Sequence, residues 1–274
     1  MKSGFAQLTR FVVAASALWV SSHAALAAEI MPSFDNAPAG WTTDRYQPAG
    51  FTDVGTYQGR SDVLGITINS TGDAASRPGG QQGSFYNTQG MQTAVSGGAG
   101  SRLSADLYIN GSWANAANGY VRTDMWGVMS NGTTVTGYPI IGFTNYGGAA
   151  RLRAYDGDVA ANGGWIDLTT LITYDDWTSF AIEFTGTSFD FFINGSLMYS
   201  DTTIGGTTGF SAAIMQAYNF ADPALGPPTP TTVTYTAHWS NVVGNQVPEP
   251  GSLALLAAGL LALGAGRQRA RSRS

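Results

Sequence analysis

Apolar and polar residues alternate through much of this chain, and the clearest run lies between Trp177 and Ser200. Phe180, Ile182 and Phe184 fall on one side, with Ala181 and Glu183 on the other. A period of two marks a strand with one face on a core. Thr185-Gly186-Thr187-Ser188 turns the chain, and Phe189, Phe191 and Ile193 return on the same inward side, with Asp190 and Phe192 opposite. Asn194-Gly195 is the dipeptide of a tight type I′ hairpin. Leu197 and Tyr199 then begin a third strand. The stretch predicts a three-stranded antiparallel meander with one apolar face.

The same pattern recurs along the body. Val63 to Asn69, Leu103 to Asn110 and Tyr120 to Met129 read as strands, and Leu103, Ala105, Leu107 and Ile109 share one face. Tyr138 to Thr144 and Ala150 to Tyr155 predict a hairpin around Asn145-Tyr146-Gly147-Gly148. A last strand, Val233 to Ser240, turns Val233, Tyr235, Ala237 and Trp239 inward. Phe34 to Gly50 is turn-rich, with Trp41 and Tyr46 as anchors. Asp73 to Gly83 and Ser112 to Gly119 read as loops, and Pro223 to Pro230 as a proline-rich one. No long amphipathic helix and no internal repeat interrupts the series. The prediction is all-β: an antiparallel two-sheet sandwich in one domain. An immunoglobulin-like sandwich would account for only about 100 residues.

The two ends break the alternation. Lys2 and Arg10 precede an apolar run from Phe11 to Val20, and Ala25-Leu26-Ala27 is a small-x-small site. That order predicts a secretory signal cut after Ala27 or Ala28, with passage through the Sec translocon. At the other end Pro248-Glu249-Pro250 holds the backbone extended. An apolar run of 15 residues follows, Ser252 to Gly266, and then Arg267, Arg269, Arg271 and Arg273. The run is slightly shorter than the roughly 17–25 residues of a full span. Snorkelling arginines lengthen its reach, and the positive-inside rule keeps them in the cytoplasm. The division is therefore 1–27 signal, 28–246 ectodomain and 247–274 tail.

In that order and at that place, the tail resembles the PEP-CTERM sorting signal of Gram-negative surface proteins. The resemblance implies processing by an exosortase, a membrane-embedded cysteine protease-transpeptidase. It also implies release or attachment at the cell surface, often with exopolysaccharide. A second resemblance lies in the meander. A strand opening on Trp177, a short Gly turn and then Phe189-Asp190-Phe191-Phe192-Ile193-Asn194-Gly195 is similar to concanavalin A-like jelly rolls of the laminin-G and lectin/glucanase kind. It extends more loosely from about Leu103 to Val242. It implies two sheets of about six or seven strands each, and it says little of function.

Charge sharpens the picture. Only 11% of the 274 residues are charged. Between the two end segments stand seven arginines, no lysine and seventeen carboxylates, a net charge of about −10. A body of that sign argues against nucleic acid and anionic lipid as partners. With no cysteine, disulfides and thiolate metal sites are excluded.

Catalytic constellations are thin. A retaining glucanase needs two carboxyl groups about 5–5.5 Å apart, on a strand of alternating acidic residues. The body offers Glu183, which the four-residue turn sets opposite Asp190. No acidic run surrounds them, so solvated hairpin carboxylates are the favoured reading. A paired location on a concave face would favour an enzyme. His238 sits on the outward side of its strand without a Gly-x-Ser-x-Gly elbow. Zinc has too few ligands. Calcium finds candidate oxygen ligands in Asp156, Asp158 and Asn162, with Asp175 and Asp176 nearby. Sugar binding needs an exposed aromatic beside polar groups; the candidates are Asp124 with Trp126 and Asp156 with Trp165, taken as strand-end or loop residues. The reading is an exported, non-enzymatic surface or matrix protein with glycan as its candidate ligand. The alternatives are a glycan hydrolase or lyase on the same fold, and a structural matrix protein without a ligand.

Overall fold

The computed structural model describes residues 37–221 and 233–245. The expected signal segment, the Pro223–Pro230 loop and the Pro-Glu-Pro tail lie outside the described residues. Two antiparallel sheets pack face to face. The first contains β1 (Thr42–Thr43), β4 (Thr88–Gly97), β6 (Arg122–Ser130), β7 (Val135–Gly137), β8 (Ile140–Thr144), β9 (Arg151–Tyr155), β10 (Trp165–Leu168) and β14 (Gly209–Tyr218). The second contains β2 (Gly50–Asp53), β3 (Leu64–Ile68), β5 (Ser101–Ile109), β11 (Asp176–Phe184), β12 (Phe189–Ile193), β13 (Ser196–Asp201) and β15 (Tyr235–Asn245). The first runs β1-β4-β14-β6-β8-β9-β10, with β7 beside β6. The second runs β13-β12-β11-β5-β15-β3-β2. This is the expected jelly-roll sandwich, with one strand more in the first sheet than expected.

The core lies between the sheets because the alternation places it there. Leu103, Leu107, Ile109, Phe180, Ile182 and Phe191 from the second sheet meet Met125, Ile141, Phe143 and Met215 from the first. Full burial of such a side chain contributes about 1.5–3 kcal/mol. The meander has the expected register, with Phe180 opposite Ile193, Ile182 opposite Phe191 and Phe184 opposite Phe189. Its hairpin has positive φ at both Asn194 (48°) and Gly195 (78°), as a type I′ turn requires. Trp41 and Tyr46 are buried anchors.

Two elements depart from the sequence reading. Ser70–Ser76, at the edge of the expected Asp73–Gly83 loop, is a short helix, α1. The Asn69 side chain accepts from the Gly72 amide, and Asp73 Oδ2 accepts from the Asn69 amide at 2.9 Å. This reciprocal cap holds a helix that propensity alone does not favour. Two 3₁₀ turns, Gly79–Gln81 and Ser84–Asn87, follow it. The second departure is β4 and β14, a long central pair that the alternation did not announce.

Candidate functional site on the outer face of the first sheet

Alternation along β6 sends Met125 and Met129 into the core and turns Asp124, Trp126 and Val128 to the outer face. Neighbouring strands continue the face in register. One row crosses the sheet as Gly90, Gln216, Asp124, Gly142, Arg153 and Asp167. The row beside it carries Ile214, Trp126, Ile140, Tyr155 and Trp165. A small apolar cluster forms there, outside the main core, from Trp126, Val128, Ile140 and Ile214, with Tyr155 and Trp165 packed against it.

The polar row is fixed from beneath. Trp239 of the opposite sheet donates its indole N–H to Thr123 Oγ1 (2.9 Å), which donates to the Gln216 carbonyl (2.8 Å). Asp124, fully buried at 0% exposure, accepts at Oδ2 from Arg122 Nε (2.7 Å) and Gln216 Nε2 (2.8 Å). Gly142 leaves the space beside it, since a Cβ there would come 2.4 Å from Asp124 Oδ1 and 2.3 Å from the Thr123 carbonyl.

Arginines lie on the aromatic rings of this face. Arg45 stands over Phe85 (4.3 Å) and Trp126 (4.4 Å), and Arg122 over Trp165 (4.7 Å) and Tyr218 (4.9 Å). Arg153 lies 3.6 Å from the Trp165 ring centroid. Desolvation lowers the pKa of Arg45, and it lowers that of Arg153 to about 9. Desolvation also raises the pKa of Asp44, against the pull of Arg45. Buried polar atoms without a partner gather here: Arg45 Nε, Asp124 Oδ1, Trp126 Nε1, Gln216 Oε1, and Nε and Nη2 of Arg153. Buried polar groups are nearly always paired, so such a concentration on one face is unusual. Donors and acceptors lie side by side beneath aromatic rings, which is chemistry suited to a hydroxyl-rich ring.

The sequence candidates are brought together differently from expectation. Asp124 and Trp126 do share this face, but they lie mid-strand rather than at a strand end. Trp126 is 7% exposed, so it forms the floor and not an open platform. The exposed aromatics near Arg45 and Trp126 are Phe85 (61%) and Tyr138 (42%), and Tyr138 meets Trp126 edge-on at 6.1 Å. Trp165 joins the face as the first residue of β10 and packs on Tyr155. Asp156 is not its polar companion: it is buried and accepts from Tyr199 Oη (2.6 Å) and from the Asp158 amide (2.9 Å). The arginines were missed as site residues. Their signal was the alternation of Arg151-Leu152-Arg153-Ala154-Tyr155, which puts both guanidinium groups and a ring on one side of β9.

Of the expected calcium ligands, Asp156 and Asp158 converge, and Asp201 at the end of β13 joins them, with ligand oxygens within 4.8 Å of one another. The Asn162 side chain lies outside the described residues. Carboxylates so grouped can hold a hard cation. Asp201 has a raised pKa, chiefly from desolvation, with the Thr203 amide opposing. The Asp156 hydrogen bond pushes Tyr199 up to about 12. A cleft of about 280 Å³ lined by Tyr138, Tyr155, Asp158 and Asp201 links this cluster to the aromatic face.

Glu183 and Asp190 are directly paired across β11 and β12, as the turn length implied. They belong to the second sheet. Glu183 lies 3.5 Å from Arg102 Nη1, and Asp190 accepts from Ser188 Oγ (2.8 Å). His238 is stacked on Tyr57 at 3.8 Å, and burial lowers its pKa.

Fold and face together define an all-β jelly-roll sandwich with an arginine–aromatic surface on one sheet. Residues 246–270 match the PEP-CTERM protein-sorting motif, so this sandwich is the body of an exported protein directed to the cell surface. Comparison with curated proteins gave no match. Among solved structures, the chain is similar to the carbohydrate-binding module CBM66 from Bacillus subtilis. Identity is 12%, covering 76% of this chain and 96% of that one, with a TM-score of 0.39. It is also similar to the Bacillus licheniformis β-glucanase, at 15% identity, 78% and 95% coverage and a TM-score of 0.42. A third likeness is to a prokaryotic β-1,3-1,4-glucanase (lichenase) derived from a mouse hindgut metagenome, at 14% identity, 79% and 98% coverage and a TM-score of 0.44.

Proposed function

We propose that this is a non-catalytic glycan-binding protein of the bacterial surface or its exopolysaccharide matrix. On this reading the outer face of the first sheet is the binding surface. The signal ends at Ala27, the ectodomain spans 28–246 and an exosortase acts on the tail from 247. The observation that carries the binding role is the set of arginines stacked on Phe85, Trp126 and Trp165, with the exposed rings of Phe85 and Tyr138 beside them. Phe85 and Tyr138 stack against the sugar's C–H face. The non-catalytic reading is supported by the neighbours of Asp124 on its own face of β6. These are Arg122 and Trp126, where double displacement needs a second carboxyl group.

The test is a glycan array probed with the purified full chain. Truncating a central aromatic anchor costs an interface 2 kcal/mol or more, so Trp126→Ala should lower affinity by about tenfold or more. Phe85→Ala and Tyr138→Ala, at exposed positions, should weaken binding without altering the melting temperature. Unchanged binding in all three variants would remove this face from the account. Shortened glycan chains after incubation would replace the binding role with an enzymatic one.

A further inference from the structure

Arg153 is the charged group whose position the rest of the protein does not explain. Arg45 pairs with Asp44, Arg122 with Asp124 and Arg151 with Asp167. Arg153, 7% exposed, makes no hydrogen bond or ion pair among the described residues, and its Nε and Nη2 are buried without partners. A body with a net charge near −10 places three of its seven arginines, Arg45, Arg122 and Arg153, over the rings of one sheet face. Burying an unpaired cation is costly, and proteins otherwise pair such a group.

We propose that the face takes an acidic glycan, a polymer of carboxylate-bearing sugars, with Arg153 as the anchor for the sugar carboxylate. This rests on the glycan-binding reading above and narrows it to a substrate class. Nη1, the one guanidinium nitrogen not among the buried atoms, offers a charge-assisted hydrogen bond to a carboxylate, and stacking on Trp165 fixes the plane of the group. A neutral sugar would leave Arg153 unpaired. Arg153 keeps its charge at neutral pH: burial brings its pKa down only to about 9, with Asp124 and Asp167 supporting the cation and Arg122 and Arg151 opposing it.

The experiment uses the full chain with alginate, polygalacturonate and hyaluronan, each beside its carboxyl-reduced form. At least one acidic polymer should bind about tenfold or more tightly than its reduced counterpart, as a buried charge-assisted pair predicts. Added salt should erode that preference. Arg153→Gln should abolish the preference, and Arg153→Lys, which keeps the charge but not the planar group stacked on Trp165, should retain part of it. Thermal melts establish that both variants fold. If acidic and reduced polymers bind equally, or if Arg153→Gln keeps the preference, the acidic-glycan assignment falls and the glycan-binding reading stands. If neither form of any polymer binds and the glycan array is also blank, both fall.

Discussion

Arg153 sets a cost in stability against a role in binding. Its guanidinium is buried beside Trp165 without a direct ion pair among the described residues, and Asp124 and Asp167 offset only part of the desolvation penalty that the unfolded state escapes. Arg153→Met keeps the length of the side chain and removes the charge. The variant should be more stable by roughly 1–3 kcal/mol, by analogy with apolar replacement of buried charges, and should lose its preference for acidic polymers. The pH dependence has a fixed sign. The folded pKa of about 9 lies below the ordinary guanidinium value of 12.5, so between those values the unfolded chain holds the extra proton. The penalty is complete below pH 9 and fades as pH rises toward 12.5. Chemical denaturation of parent and variant should therefore show a gap that is widest at neutral pH and narrows above pH 9. A gap of opposite sign would mean that the ring contact outweighs desolvation. Residue identity was partly legible in the sequence. Alternation placed Asp124 and Trp126 on one face, but it could not show that neighbouring strands bury them, nor that Arg153 lacks a partner.

At the scale of elements, legibility followed the strength of the side-chain pattern. The meander β11–β13 combines aromatic and β-branched inward residues with an Asn-Gly turn, and the inward residues of β11 and β12 fell where they were read, while an irregularity between Phe191 and Phe192 leaves Leu197 exposed on β13. β4 and β14 are Thr-Gln-Gly-Met-Gln-Thr-Ala-Val and Gly-Phe-Ser-Ala-Ala-Ile-Met-Gln-Ala-Tyr, rich in Gly, Ala and Gln. Their small residues are required by close approach rather than by propensity: a Cβ at Gly90 would lie 2.4 Å from the Met215 carbonyl. Strand pairing in three dimensions, invisible along one chain, determines them. α1 was hidden because its stability comes from the Asn69–Asp73 cap. The energetic centre of the sandwich is testable at Phe191, 0% exposed between Ile182 and Tyr199. Phe191→Ala should cost about 3–5 kcal/mol in urea denaturation. A loss below about 1 kcal/mol would mean that the meander packs outside the cooperative core.

For the whole molecule, the two ends decide where the sandwich works, and their physical logic is written in residue order. Two prolines within three residues disfavour a helix at Pro248-Glu249-Pro250. Moving four arginines through hydrocarbon would cost about 2.5–3.5 kcal/mol each, which favours a cytoplasmic place for the last residues. On the proposed routing, the Pro-Glu-Pro segment would come within reach of a membrane-embedded protease. Residues 246–270 match the sorting motif that such an enzyme reads. Replacing the three residues by alanine would remove the helix-breaking prolines from the proposed recognition site. The substituted protein should accumulate in the inner membrane with its tail intact, while the parent loses its tail only in a host that has an exosortase. The measurement is the C-terminal mass of the exported protein from hosts with and without that enzyme. A terminus at Ser274 in both hosts would make the tail a simple anchor, and the arginine–aromatic face would then act on glycan from a fixed position on the inner membrane.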